Sequence, residues 1–296
     1  MFKNALFDVT NAKIYLDESM RNRTGYGVGG CARYYAEIDS LYSLNCIINL
    51  AKEHNIKYKI IGNGTNVLFS DLGYNGIVID TKKLNDVFFK REQVKAMAGA
   101  KLEKLIRFSL EHKLSGLEAL SGIPATIGGA VVMNAGAFGK NISDCITAVE
   151  TLCDGKIKVY DKNECKFGYR KSRFLAKNEV VVSATFCLAI KEREVISDSI
   201  KSYLNLRRSI QPSGRSCGSV FRNPKPFSAG ALIEKAGLKG YKIGGATISE
   251  KHANFIITSS KATAKDVYIL INTIQQKVKD AFNVDLVTEV ECVGEF

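Results

Sequence analysis

SGIPATIGGAVVMNAGAFG, residues 121–139, decides how the rest of the chain is read. It holds nothing that could carry acid–base chemistry, and nine of its nineteen residues are glycine or alanine, so what it offers is backbone. Pro124 marks a rigid turn, and Gly128 and Gly129 stand where a chain comes close to something. Asn134, Ala135 and Gly136 fall where larger side chains would collide with a planar ligand. Taken alone, the stretch is also explained by a helix packing closely on small residues.

A second small-residue loop changes that balance. IIGNGTNVLFSD, residues 60–71, sets Gly62 and Gly64 directly after a strand. An isolated G-x-G of this kind is ordinarily a tight turn. It is not a dinucleotide-binding fingerprint, because Val67 occupies the third glycine position. Only eleven residues lie between Gly64 and Gly76, too few for a crossover helix and its turns. The glycines are then expected to free backbone N–H groups for an anion without a helix behind them. Two such loops together imply one extended ligand.

Around these loops the texture is that of an ordinary folded protein. The chain has 296 residues, 46% hydrophobic and 24% charged, enough to bury a sizeable core and to divide into two or three domains. No run approaches eighteen apolar residues, and MFKNALFDVTNAKIYLDE at the start lacks the pattern of a secretory signal, which implies a cytoplasmic protein. The eight cysteines form no C-x-x-C pair and read as reduced, mostly buried small apolar residues. With only three dispersed histidines, no metal site is expected. A formal charge of +12 points to anionic partners, whether nucleic acid, membrane surface or phosphorylated small molecules. The absence of any Lys/Arg block longer than two argues against a dedicated nucleic-acid module.

Strands are expected at KYKII, GIVID (76–80), DVFFK (86–90), QVKAMAG (93–99), CITAVETLC and VVVSATFCLA, and a helix at KLEKLIRFSLEHKL. From Val195 the pattern reads helix, Gly/Ser/Pro-rich loop, the short helix AGALIEKAG, the strand NFIIT and a long helix. The last opens at a capping box, Thr263 to Asp266, and carries Val267, Leu270, Ile271, Ile274, Val278 and Phe282 on one face.

G-N-G-T-N-x-L followed by S-G-I-P-x-T-I-G-G-A-x-x-x-N-A-G-A-F-G resembles the UDP-N-acetylenolpyruvoylglucosamine reductases, flavoenzymes of peptidoglycan synthesis. YRKSRF (169–174), GSVFRNP (218–224), AGLKGYKIGGATISEKHANFI (236–256) and LVTEVECVGEF (286–296) continue the likeness through nearly the whole chain. The resemblance implies an α+β fold: a vanillyl-alcohol-oxidase-type FAD-binding domain of two α+β subdomains, residues 1–80 and 81–205. A C-terminal α+β substrate-binding domain, 206–286, follows, and then a strand, 287–296, that brings Glu289 back toward the active site. Only Leu175 to Glu179 separate Phe174 from the strand at Val180, so the chain resembles the shorter branch of the family, without an added substrate loop.

The resemblance further implies non-covalent FAD held by Gly62, Asn63, Gly64, Thr65, Asn66, Ser121, Gly122, Ile123, Thr126, Gly128, Gly129, Ala130, Asn134 and Gly136. NADPH would reduce the flavin and leave, and the reduced flavin would deliver hydride to the β-carbon of the enolpyruvyl group. Charge then builds on the α-carbon and its carboxylate, which calls for a cation and a proton donor. Arg170 matches the cation, since a guanidinium grips a carboxylate through two parallel hydrogen bonds. Ser219 matches the proton donor. Glu289 is expected on a strand with Val287, Glu291 and Val293 on its own face, partly desolvated and protonated near neutrality, with Glu291 facing solvent. Tyr169, Asn223 and Lys239 match substrate contacts.

The implied activity is NADPH-dependent reduction of UDP-N-acetylglucosamine enolpyruvate. Set against it are another FAD-linked oxidoreductase of the same cofactor fold and a non-catalytic basic nucleotide-binding protein. A monomer is expected, with a UDP-sugar as partner and neither nucleic acid nor membrane.

Overall fold

A computed structural model describes residues 2–8, 12–175 and 179–296; part of the short Leu175–Glu179 connection and of the N-terminal stretch lies outside them. The chain separates into two units, neither continuous in sequence. Unit 1 comprises Met1–Tyr15, Tyr35–Asn63 and Gly76–Arg207, and unit 2 comprises Leu16–Tyr34, Gly64–Asn75 and Arg208–Phe296.

In unit 1 strand Tyr58–Ile61 pairs in parallel with the part of strand Tyr74–Asp80 that follows Asn75, in register Tyr58 to Ile77 through Ile61 to Asp80. Parallel neighbours usually require a helical crossover. Here residues 62–73 join them without a helix, carrying only the short strand Val67–Phe69, in keeping with the spacing after Gly64. Helix Leu41–Glu53 starts because Ser40 accepts a hydrogen bond from Ser43 N at 3.1 Å, and it buries Leu44, Ile47, Ile48 and Ala51 on one stripe.

The larger sheet of unit 1 runs Lys156–Asp161, Ile146–Cys153, Val180–Cys187, Gln93–Met97, Val87–Lys90, antiparallel throughout. Val180–Cys187 sits at its centre and is buried along nearly its whole length. Helix Leu102–Glu111, with Leu102, Leu105 and Ile106 inward, and the short helix Ile127–Val132, with Ile127, Ala130 and Val131 inward, share one core with Val94, Ala96, Val149 and Phe186.

Unit 2 is organised by helix Ala264–Phe282. Both halves of its capping box are made: Thr263 Oγ1 accepts from Asp266 N at 3.1 Å and the Asp266 carboxylate accepts from Thr263 N at 3.0 Å. Its buried stripe of Val267, Leu270, Ile271, Ile274 and Val278 joins a core with Ala246, Ile248 and Ile256 from the antiparallel sheet Lys242–Ile243, Ala246–Ile248, Ile256–Thr258. Strand Val67–Phe69 pairs in parallel with Glu291–Val293.

Two expectations need correcting. The cysteines are all free, but only Cys165 and Cys217 are buried; Cys31, Cys153 and Cys187 stand at strand ends, and Cys46 lies beside rather than within the buried stripe of helix Leu41–Glu53. The segment Leu286–Val293 is not one alternating strand. Thr288 forms an isolated antiparallel bridge with Phe221, Glu289 lies in a bend, and only Glu291–Val293 is strand. Val287 is 57% exposed while Val293 is 7% exposed, so the two do not share a face with Glu289; Glu291 does face solvent. The cause is a change of partner within the segment: it leaves Phe221 after Thr288 and joins Val67 at Glu291.

Candidate active site

In unit 1 the glycine segment and the Gly62 turn meet. A Cβ on Gly62 would lie 2.0 Å from Thr126 Oγ1, and Asn63 Nδ2 donates to Pro124 O at 2.9 Å. Residue 62 is therefore glycine because a second loop crosses it. Thr126 caps the following helix, its Oγ1 accepting from Gly129 N at 3.5 Å.

Much of the segment's backbone is engaged within the protein. Ile127 N donates to Ala100 O and Gly128 N to Ala98 O, both at 2.8 Å, and a Cβ on Gly128 would lie 3.0 Å from that of Ala98. The close approach at Gly128 is thus to its own chain. Ile123 N donates to Leu120 O at 3.2 Å and Ala130 N to Thr126 O at 2.9 Å. Gly122 and Gly129 are exposed, and Gly122 takes φ +81, open to glycine. Beside them Ser121 Oγ is buried with no hydrogen-bond partner among the described residues. Arg207 Nε donates to Ser121 O at 2.9 Å, and burial pushes its guanidinium pKa down without removing its charge at neutral pH. A hydroxyl left unpaired, two exposed glycines and an adjacent cation, whose side chain would lie 2.9 Å from a Cβ on Gly122, suit an extended anionic group such as the pyrophosphate of FAD.

The far end of the same segment leads to Arg170. Asn134, at φ +43, uses both ends of its side chain, Nδ2 donating to Gly168 O at 2.9 Å and Oδ1 accepting from Ser143 N at 3.3 Å. Gly168 and Lys171 close a two-residue turn with hydrogen bonds of 2.9 and 3.2 Å, leaving Tyr169 and Arg170 at its tip. Arg170 is held at φ +51, a conformation an L-residue adopts only under constraint. Its Nη2 donates to Gly136 O at 2.9 Å and its guanidinium lies 5.3 Å from the Tyr169 ring centre. Tyr169 is exposed and Arg170 half-buried.

Gly64, Thr65 and Asn66 belong to unit 2. At φ +65, with a Cβ position 2.1 Å from Arg23 O, residue 64 admits only glycine. Asn66 holds the segment that carries Glu289: its Nδ2 donates to Glu289 O at 3.0 Å and its carbonyl accepts from Glu291 N at 3.1 Å. Ser219 follows Gly218, which has φ +74 and open space around its Cβ position. The Ser219 hydroxyl is half-buried and makes no hydrogen bond among the described residues, unlike a turn or cap serine. Glu289 N donates to Val220 O at 2.7 Å, so Ser219 and Glu289 stand on adjoining, paired segments.

Asn223 and Lys239 also lie in unit 2, each with a partner of its own. Asn223 Oδ1 accepts from Ala229 N at 3.0 Å at the start of helix Ala229–Lys235, and Lys239 Nζ pairs with Glu234 Oε1 at 2.7 Å. The structure thus gathers Gly62, Asn63, Ser121, Gly122, Thr126, Gly136, Tyr169 and Arg170 in unit 1, and Gly64, Asn66, Ser219 and Glu289 in unit 2. Sequence reasoning passed over Arg207, whose pairing with Ser121 spans 86 positions and leaves no local pattern.

Comparison with known proteins identifies the relatives of the chain. Residues 211–293 match the family of the UDP-N-acetylenolpyruvoylglucosamine reductase C-terminal domain, and residues 32–160 match an FAD binding domain family. A UDP-N-acetylenolpyruvoylglucosamine reductase of Carboxydothermus hydrogenoformans is 40% identical over 99% of this chain and 98% of its own. The crystal structure of the UDP-N-acetylenolpyruvylglucosamine reductase from Thermus caldophilus matches with a TM-score of 0.81 at 33% identity, over 96% of this chain and 99% of that one. A berberine bridge enzyme variant, 16% identical, shares the fold alone, with a TM-score of 0.52 over 65% of this chain and 44% of that one.

Proposed function

The chain belongs to the UDP-N-acetylenolpyruvoylglucosamine reductase family, and from that we infer that it reduces UDP-N-acetylglucosamine enolpyruvate to UDP-N-acetylmuramate in peptidoglycan precursor synthesis. The observation that carries this reading is the 40% identity to a named reductase over essentially the whole of both chains. It is an FAD-dependent oxidoreductase with the α+β flavin-binding fold, and NADPH is its co-substrate. FAD, when bound, carries two electrons from NADPH to the enolpyruvyl double bond.

The chain's own residues supply placement and charge. Ser121 Oγ and the exposed backbone at Gly122, with Arg207 beside them, would hold the cofactor's pyrophosphate. Arg170 takes the enolpyruvyl carboxylate and stabilises the negative charge that builds there; its strained backbone supports this, since strain of that kind persists where the side chain must be aimed. Ser219 Oγ gives its proton to the α-carbon, a role supported by a hydroxyl that the protein itself leaves unengaged. Glu289, on the paired segment, assists at the carboxylate. Asn223 and Lys239 contact the UDP-sugar, Lys239 exchanging Glu234 for phosphate. We place the protein in the cytoplasm, where NADPH and UDP-sugars are made, as a monomer without nucleic-acid or membrane partners. The +12 charge then serves anionic small molecules.

The test is a two-step anaerobic titration. NADPH should bleach the flavin absorbance of the purified protein, and UDP-N-acetylglucosamine enolpyruvate should restore it. A flavin that NADPH reduces but this substrate leaves reduced would assign the chain to another oxidoreductase reaction.

A further inference from the structure

The segment that carries Ser219 lies between two others in unit 2. On one side Glu289 N donates to Val220 O at 2.7 Å and Arg222 N donates to Val287 O at 2.9 Å. On the other, Ser219 forms an antiparallel bridge with Phe255, and Val220 N donates to Asn254 O at 2.9 Å. At Phe221 this second ladder has no further backbone to use, and one side chain takes its place. Asn254 Oδ1 accepts from Phe221 N at 2.9 Å, and Asn254 Nδ2 donates to Phe221 O at 2.8 Å.

Three groups of one residue, a carbonyl and both ends of a side-chain amide, therefore fix Val220 and Phe221, the two residues after Ser219. Val220 is in turn the residue whose carbonyl holds the amide of Glu289. Asn254 is 3% exposed, and its own N–H donates to His252 Nδ1 at 3.2 Å, so it is itself held from behind. The geometry asks for one donor and one acceptor facing a single peptide at close range. Asparagine provides both; aspartate would set an acceptor against an acceptor at Phe221 O.

We propose that Asn254 is a positioning residue for the reaction: without touching substrate, it sets where the Ser219 hydroxyl stands and, through Val220, the backbone of Glu289. This rests on Ser219 being the proton donor. A buried asparagine that only stabilised unit 2 would lower stability and disturb flavin loading and both half-reactions alike. A positioning role instead acts on one half-reaction and through one partner, because misplacement of a reacting group by about 1 Å costs roughly a hundredfold in rate.

A double-mutant cycle on the FAD-loaded full-length protein separates the two. Ser219→Ala, Asn254→Asp and the double variant are each followed by rapid mixing, first for flavin reduction by NADPH and then for reoxidation by UDP-N-acetylglucosamine enolpyruvate. Ser219→Ala is expected to slow reoxidation by roughly a hundred- to ten-thousand-fold. Asn254→Asp is expected to slow it by roughly ten- to a hundredfold while leaving reduction by NADPH within about twofold. The double variant is expected to be no more than about threefold slower than Ser219→Ala, since a misplaced hydroxyl matters only while the hydroxyl is there. Where Asn254→Asp does not fold with FAD, Asn254→Ser, which sets no repelling oxygen against Phe221 O, goes through the same cycle. Multiplying defects in the double variant, or equal slowing of both half-reactions, overturns the inference. Ser219→Ala reoxidising at the wild-type rate overturns the proton-donor reading and this inference with it.

Discussion

Arg170 permits a test that reads its backbone conformation and its side chain separately. Its backbone is at φ +51, where a residue with a Cβ is strained by about 1–2 kcal/mol. Glycine escapes that strain but loses about 0.5–1 kcal/mol through the greater freedom of its unfolded chain. Replacing Arg170 by Ala or by Gly removes the same 2.9 Å hydrogen bond to Gly136 O and the same contact with Tyr169, so those losses cancel in the comparison. Arg170→Gly should therefore be more stable than Arg170→Ala by roughly 0.5–1 kcal/mol, the reverse of the usual order of these residues. Urea unfolding of the two FAD-loaded variants, followed by circular dichroism, measures the difference. Both should reoxidise with substrate slower by roughly a hundred- to a thousandfold, the usual effect of losing one transition-state contact, while NADPH reduces their flavin normally. An alanine variant as stable as the glycine variant would contradict the strained turn. A glycine variant that reoxidises at the wild-type rate would remove Arg170 from the carboxylate.

Acid precipitation should release all flavin into the supernatant, because the glycine segments contain no His or Cys that could attach it; flavin left on the precipitated chain would refute this. Burial raises the Asp266 carboxyl pKa, but hydrogen bonds from Gly245 N, Thr263 N and the Thr263 hydroxyl outweigh it and hold the carboxyl below its ordinary value. A lowered folded-state pKa stabilises the fold above the unfolded value of about 4 and ceases to do so as pH falls through the folded one. Asp266→Asn should thus cost about 1 kcal/mol at pH 7, and its gap from wild type should close below about pH 4; a gap independent of pH would count against the cap. Burial pushes the Cys217 thiol up to about 12, whereas Cys31 and Cys187 are exposed. A thiol alkylating agent at pH 8 should modify Cys31 and Cys187 in the native protein and reach Cys217 only after unfolding, as peptide mapping would report.

Much of this architecture could be read locally. Helix Ala264–Phe282 declares itself because its start signal and its apolar stripe are both short-range, and the strands Ile146–Cys153 and Val180–Cys187 are continuous β-rich runs. The two glycine loops could be recognised, but the reason for Gly62 could not, since the Thr126 hydroxyl it accommodates is 64 residues away. Glu289 shows the limit most clearly. Alternation over residues 286–293 suggests a single strand, and nothing local records that Thr288 pairs with Phe221 while Glu291 answers to Asn66. The same holds for Asn254, which sits in a recognisable stretch but owes its role to the peptide of Phe221. That residues 16–34 and 64–75 cluster with 208–296 likewise has no local signature.

The central claim is that electrons reach the β-carbon of the enolpyruvyl group through FAD and that a protein hydroxyl, in exchange with solvent, protonates the α-carbon. It is tested most directly by turnover of UDP-N-acetylglucosamine enolpyruvate with NADPH in deuterium oxide, with the product read by mass spectrometry and NMR. The account predicts UDP-N-acetylmuramate carrying solvent deuterium at the α-carbon of its lactyl group. Product with hydrogen at that carbon, or NADPH oxidation that yields no lactyl product, would contradict it.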